Sequence, residues 1–336
     1  NEILNYKLSL MILKKLRGEF MKVALLTSGG DAPGMNACIR AVVRTCLYYN
    51  YEVFGIREGY KGLVEDKFFK MERHDVSQII DRGGTILGSA RLEEFKEKAT
   101  RKIAIDNLKR REIEYLIVIG GDGTFRGAID LENEGVKLIA VPATIDNDVQ
   151  GTEYTIGFFS ALDTSMEAID KLRDTSFSHQ RCTVVEVMGR DCGDLSIYSG
   201  ISCGAEMVIT SETGYSETEV LKNVQKAKDD GKRHLIIVVA ENITNVSELA
   251  SKIQKNTGYD ARASVLGYIQ RGGSPSAFDR VLASKMGILA VDLIKADVHN
   301  QAIVSKGLHI GHMLIEKSLN TKVARPDLYQ YLDKIR

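Results

Sequence analysis

Apolar residues fall along this chain in two alternating patterns. Short runs at 22–26, 52–56, 115–119, 138–141, 182–187, 206–210, 234–239 and 262–267 read as strands, those at 115–119, 138–141 and 234–239 as buried ones. Between them the spacing changes to that of a helix. Met35, Cys38, Ile39, Val42, Val43, Cys46 and Leu47 recur at i, i+3, i+4 and i+7. Further helices are expected over 96–110, 125–133, 157–173, from Gly193, from Ser216, over 247–256 and over 277–293, with a short amphipathic segment at 76–80. Ser216-Glu217-Thr218-Glu219 is a capping box, which fixes one of those starts. Buried strands alternating with helices predict an α/β fold with mainly parallel sheets.

The bulk numbers narrow the class. At 336 residues the chain is long for one core and comfortable for two. There is no solenoid repeat, no low-complexity tract and no obvious linker, so two domains would be closely joined. Hydrophobic residues make up 44% and charged residues 27%, as in a soluble globular protein, and the formal net charge is zero. Bulk charge therefore gives no argument for nucleic acid or an anionic membrane as a partner. No apolar run approaches a membrane span. The cysteines (Cys38, Cys46, Cys182, Cys192 and Cys203) have no CxxC spacing, which fits a reduced, cytoplasmic protein. Residues 1–20 lack a signal-type cleavage site. They read as an extension with room for a short helix, the organised protein starting at Met21.

Polar residues gather where the strands end. After 22–26 comes Thr27-Ser28-Gly29-Gly30-Asp31-Ala32-Pro33-Gly34-Met35-Asn36, and then a helix. Strand, glycine turn, helix is a phosphate-binding layout, because glycines let backbone amides approach an anion at a helix start. It is neither a P-loop nor GxGxxG. A second glycine-rich stretch, 81–91, closes on Arg91. A third, Gly120-Gly121-Asp122-Gly123-Thr124, carries one acid suited to Mg²⁺ shared with phosphates. The run 138–141 then delivers Thr144-Ile145-Asp146-Asn147-Asp148. Two carboxylates at i and i+2 can serve a substrate hydroxyl and a metal, so Asp146 is the candidate base of a phosphoryl transfer; an ordinary strand-end turn is the bland alternative. Arg40 and Arg44 share one helix face, either a solvated face or half of an anion site.

Taken in order, these motifs together with Gly151-Thr152, Ser178-His179-Gln180-Arg181, Met188-Gly189-Arg190 and Gln270-Arg271-Gly272-Gly273 resemble bacterial ATP-dependent 6-phosphofructokinases over about 21–312. The resemblance implies two three-layer α/β domains with the chain crossing between them. A nucleotide-binding domain would take 21–157 plus about 270–320, and a sugar-phosphate domain 158–269 plus about 321–336. It implies a cytoplasmic homotetramer that phosphorylates the 1-hydroxyl of fructose 6-phosphate from ATP with Mg²⁺, under control by ADP or phosphoenolpyruvate. Gly30, Gly121, Asp122, Gly123 and Thr124 would hold the ATP phosphates, with Asp122 at Mg²⁺ and Arg91 and Leu92 over the nucleotide. Thr144, Asp146, Asp148 and Arg190 would be catalytic. Ile145, Met188, Gly189, Glu241, Tyr268 and Arg271 would contact the sugar phosphate, with Arg181 and Arg262 arriving from a neighbouring subunit. Arg40, Arg44, Arg73, Arg173, Gly204, Glu206, Lys232 and His234 would form the effector site. Relatives that use pyrophosphate have Asp and Lys where this chain has Gly123 and Ala143, which favours ATP.

Two positions depart from that pattern. Tyr268 stands where the family has His, so weaker ground-state binding of the sugar phosphate is expected. Asp230 stands in place of an effector-site lysine, so weakened ADP activation is expected. The alternatives are a weakly catalytic regulatory paralogue and a kinase for a related sugar phosphate.

Overall fold

The computed structural model describes residues 20–323 and 328–335; the extension reading for 1–19 lies outside them. Two sheets organise the chain. Strands β1 (Lys22–Ser28), β2 (Glu52–Ile56), β3 (Phe68–Lys70), β4 (Tyr115–Gly120), β5 (Leu138–Pro142), β10 (Gln301–Lys306) and β11 (His309–Leu314) form a seven-stranded sheet in the order β11-β10-β5-β4-β1-β2-β3. Its five inner strands run parallel, and the edge strands β3 and β11 run antiparallel to their neighbours. Strands β6 (Cys182–Val187), β7 (Met207–Ile209), β8 (Leu235–Ala240) and β9 (Ala261–Val265) form an all-parallel sheet in the order β7-β8-β6-β9. The fold is α/β with mainly parallel sheets. The chain leaves the larger sheet after β5, builds the smaller one, and returns for β10 and β11.

Strand period two explains how one sequence serves three apolar layers. Val23 and Leu25 of β1 join a central core, while Ala24 and Leu26 face the opposite side with Phe125, Ala128 and Leu131. In the smaller sheet, Val185, Val187, Ile236 and Val238 point into the same central core. Cys182, Val184, Ile237 and Val239 point outward to a third cluster. The central core thus joins both sheets. Among the described residues the cysteines form no disulfide, and four of them are buried.

The structure moves several expected boundaries. No regular helix forms at 76–80, where the chain runs through turns. The basic helix begins at Lys98, after a short 3₁₀ turn Glu93–Lys96. The helix expected to end at Arg173 continues as Phe158–His179, its last turns too polar to show a period. The end of the 262–267 run is a 3₁₀ turn, Gly267–Arg271. Ser216 caps its helix as expected, its side chain accepting from the Glu219 amide at 3.4 Å.

Strand order positions the loops. The chain goes from β1 to β2 on one side and from β4 to β5 on the other, so the order reverses between β1 and β4. The following helices, Met35–Tyr48 and Asp122–Asn133, pack on opposite faces. A crevice opens at the carboxyl ends of those strands, where an open α/β sheet takes its ligand.

Candidate active site

The crevice is a cleft of about 800 Å³ between the two sheets. From the larger sheet it is lined by Gly30, Gly121, Asp122, Gly123, Thr124, Thr144, Ile145, Asp146 and Asp148, and from the loop after β3 by Arg91 and Leu92. Met188, Arg190, Glu241, Tyr268 and Arg271 reach it from the other side. The polar strand ends singled out in the sequence therefore converge. Arg181 and Arg262 do not. Arg181 precedes β6, at the opposite end of that strand from Arg190, and Asp260 bridges the two, 2.5 Å from Arg181 and 2.7 Å from Arg262. The proposed effector residues also lie outside the cleft.

The second glycine motif is not a free turn. Gly120 ends β4, Gly121 caps the next helix, and Asp122 already occupies its first turn. A phosphate here would meet a helix N-terminus as well as glycine backbone. Thr124 donates to the Ser28 carbonyl at 3.0 Å, which ties the two glycine loops together. A side chain added at Gly123 would point into open space, so the cleft is roomy beside it. Ala143, by contrast, is fully buried and does not line the cleft. Asp122 pairs with Arg126 at 2.7 Å, a partner the motif did not suggest.

The electrostatics separate the two acids of the third motif. Burial raises the Asp146 carboxyl to about 6, and the nearby charges of Asp148 and Glu241 push the same way, against Arg271 and Arg190. Asp148 is also raised, first by burial and then by Asp122 and Asp191, with Arg190 opposing. Arg190 and Asp148 approach to 3.7 Å. Asp146 keeps its turn through its own amide, which donates to Thr144 Oγ1 at 3.2 Å. Asp122 and Asp148 line the same cleft, near enough for Asp122 to raise the Asp148 carboxyl, and carboxylate oxygens are the donor type that suits Mg²⁺ when phosphate oxygens complete the set.

Several site-supporting contacts carry no signal in the sequence. Glu241 Oε1 accepts the amides of Arg190 at 2.7 Å and Gly189 at 3.1 Å, so this acid holds the loop after β6. Buried Gln270 accepts from Ser165 at 3.0 Å and from the Met188 amide at 3.3 Å. Arg271 lies against Gly30 and pairs with Asp31 at 3.3 Å. Its guanidinium sits 5.6 Å over the Tyr268 ring. Tyr60 stacks on Phe95 and donates to the Thr124 carbonyl at 2.6 Å. Apart from Arg271 over Tyr268, each of these is a contact between segments far apart in sequence, and no local pattern announces it.

Outside the cleft two charged groups appear. Arg40, Arg44 and Arg73 stand close enough that burial, then Arg40 and Arg73, lower the Arg44 pKa. Separately, Glu206 pairs with Lys232 at 3.4 Å and accepts the Ile236 amide at 2.8 Å. Arg173 donates to the Cys203 carbonyl next to Gly204, and His234 packs against Phe177.

The chain is similar to known proteins over most of its length. Residues 22–294 match the family model described as phosphofructokinase. A protein of Aliivibrio fischeri (strain MJ11) named ATP-dependent 6-phosphofructokinase is 57% identical over 273 residues, 81% of this chain and 85% of that one. One of the same name from Photobacterium profundum is 50% identical over 316 residues, covering 94% of this chain and 99% of its own. Among solved structures, phosphofructokinase from Saccharomyces cerevisiae superposes with a TM-score of 0.84 at 32% identity, over 93% of this chain and 50% of the yeast chain.

Proposed function

The chain belongs to the phosphofructokinase family, and from that premise we propose that it transfers the γ-phosphoryl group of ATP to the 1-hydroxyl of fructose 6-phosphate. The products are fructose 1,6-bisphosphate and ADP. The observation that carries the reading is the convergence of Asp146, Arg190 and both glycine loops on one cleft.

Each residue has work suited to its chemistry. The glycine loops after β1 and β4 receive the ATP phosphates, and Arg91 and Leu92 lie along the nucleotide. Asp146 takes the proton from the attacking hydroxyl, a task for which a carboxyl raised to about 6 is better matched than an ordinary one. Thr144 steadies the reacting end of the sugar. Arg190 stabilises charge on the moving phosphoryl, and Asp148 holds Arg190 in reach. Asp122 with Asp148 would hold Mg²⁺, which when bound neutralises phosphate charge. Arg271 and Tyr268 meet the 6-phosphate end, and Glu241 the sugar hydroxyls. Arg181 and Arg262 lie far from their own cleft, which supports their serving a neighbouring subunit's site in a homotetramer. The open space beside Gly123 favours ATP over pyrophosphate, since a nucleotide needs room past its β-phosphate.

The larger-sheet half, 21–157 with 270–320, is assigned the nucleotide, and 158–269 with 321–336 the sugar phosphate. The Arg40, Arg44 and Arg73 cluster and the Arg173, Gly204, Glu206, Lys232 and His234 group are assigned to an ADP or phosphoenolpyruvate effector site assembled between subunits. An ADP titration tests this: weak activation is expected with Asp230 present, and strong activation at micromolar ADP would refute the role of Asp230. Thiols that form no disulfide support a cytoplasmic setting.

A coupled assay with purified protein, fructose 6-phosphate and either ATP or pyrophosphate tests the main reading. Turnover with ATP alone is the expected result. Turnover with pyrophosphate would correct the donor, and binding without turnover would favour a regulatory paralogue.

A further inference from the structure

The base and the transition-state arginine belong to different halves of the molecule, so something must keep them in register. Asp146 follows β5 of the larger sheet, and Arg190 follows β6 of the smaller one. Between the two carboxylates of the turn sits Asn147, almost fully buried and with φ of 54°. That left-handed conformation, which asparagine tolerates better than most residues, places Asp146 and Asp148 on the cleft side of the turn. Whatever fixes Asn147 therefore fixes both acids.

Two groups from the loop carrying Arg190 fasten on Asn147. Its Nδ2 donates to Asp194 Oδ2 at 2.8 Å, a contact buried on both sides. The Cys192 thiol lies 4.0 Å from its backbone carbonyl. The loop is itself closed, the Cys192 amide donating to the Gly189 carbonyl at 2.9 Å. Asp194 opens the helix Asp194–Ser202, where the helix dipole favours its negative charge. On the turn side, Asn147 Nδ2 also donates to the Glu153 carbonyl at 3.0 Å, and its Oδ1 accepts from the Thr155 amide at 2.9 Å.

Resting on the kinase reading above, we propose that Asp194 is a positioning residue: through Asn147 it sets the base-bearing turn against the Arg190 loop. Asp194 touches no substrate. Its effect is on the relative placement of two groups that must act on the same phosphoryl transfer, where a shift of about 1 Å can remove ~10²-fold of rate.

Steady-state kinetics of Asp194→Ala, Asn147→Ala and the double variant test the idea. Each single variant is expected to lose roughly 10- to 100-fold in kcat, with KM for ATP held within about 2-fold. The losses should combine to less than their product in the double variant, because both singles remove the Asn147–Asp194 bond, while Asn147→Ala alone also gives up the bonds to Glu153 and Thr155. Multiplied losses, or full kcat in Asp194→Ala, would overturn the proposal. Where an alanine variant does not fold, amide hydrogen exchange on the wild-type protein decides. Segments 144–148 and 189–194 should open together with one free energy, and separate opening would overturn the coupling. Wild-type turnover is measured first; its absence sinks the kinase reading, while the exchange result still reports on the coupling itself.

Discussion

Glu241 holds the backbone amide of Arg190 at 2.7 Å, and with the same oxygen takes the amide of Gly189. An acid assigned to sugar hydroxyls is therefore also what shapes the arginine loop. Its removal should affect two kinetic constants. For Glu241→Ala, KM for fructose 6-phosphate rises and kcat falls by about 10²-fold, since the two loop amides lose their shared acceptor and the loop shifts. Glu241→Gln keeps a carbonyl for the amides, so its kcat should stay within about 10-fold of the parent while KM still rises. Steady-state assays of both variants check this, and an alanine variant altered in KM alone would reject the loop-holding role.

Gly30 meets Arg271 in a different way. The guanidinium lies so near the glycine that an added Cβ would collide with it. Gly30 itself is not among the positive-φ glycines, so alanine suits its backbone, and the atom it strikes is the end of a flexible side chain. Gly30→Ala should therefore fold with stability within about 1 kcal/mol of the parent. The arginine would swing off Asp31 and Tyr268, and the cleft would lose room beside the phosphate loop. Expected kinetics are a raised KM for both substrates, each by about 10-fold, as for lost ground-state binding. Thermal denaturation beside kinetics separates the outcomes; a cooperative loss of fold would show that the glycine is needed for the backbone.

Tyr268 is 77% exposed and offers its ring to Arg271. A tyrosine can donate one hydrogen bond to a phosphate but cannot become cationic. Histidine can carry a positive charge toward the same dianion. Tyr268→His should lower KM for fructose 6-phosphate several-fold, with the gain largest below about pH 6.5, where an unperturbed imidazole is charged. The kcat should change less. A KM that is the same in both proteins across pH 6 to 8, within about 2-fold, would remove Tyr268 from sugar-phosphate binding.

The sequence exposes those parts of this architecture that depend on local pattern. Runs such as 115–119 and 235–239 are apolar because both faces of their strands are buried, and such runs are hard to mistake. Strands β10 and β11 carry no such signal. In β11 the residues His309-Ile310-Gly311-His312-Met313-Leu314 are exposed or half-exposed edge positions with no apolar run to mark them. The three-residue β3 is too short to carry a period. The same division holds in the site. Asp146, Asp122 and Arg190 are visible because they sit at strand ends beside glycine or Asx residues. Gln270 and Asp194 are not, because each acts on a residue many positions away. Glu206–Lys232 and Asp260–Arg181 belong to the same class of long-range pairs.

Asp146 also makes a prediction about stability. Folded, it holds its proton up to about pH 6, against an ordinary value near 3.8. Between those values the folded state binds more protons than the unfolded one, so stability falls as pH rises through the window. Above about pH 6 the destabilisation is fully present; below about pH 4 both states are protonated and it vanishes. Its size is on the order of 1–3 kcal/mol, from a shift of about two units with part of the site still open to solvent. Asp146→Asn removes the charge and keeps the shape. The variant should lose nearly all turnover, by ~10²–10⁴-fold or more, as expected for a missing base. It should also be more stable than the parent at pH 7.5, with a midpoint higher by a few degrees, and that advantage should shrink as pH falls from 6 to 4. In the parent, kcat/KM should drop about tenfold per unit below pH 6 as the base becomes protonated. A variant whose advantage over the parent is no larger at pH 7.5 than at pH 4 would mean that Asp146 is not the strained, proton-accepting carboxylate described here.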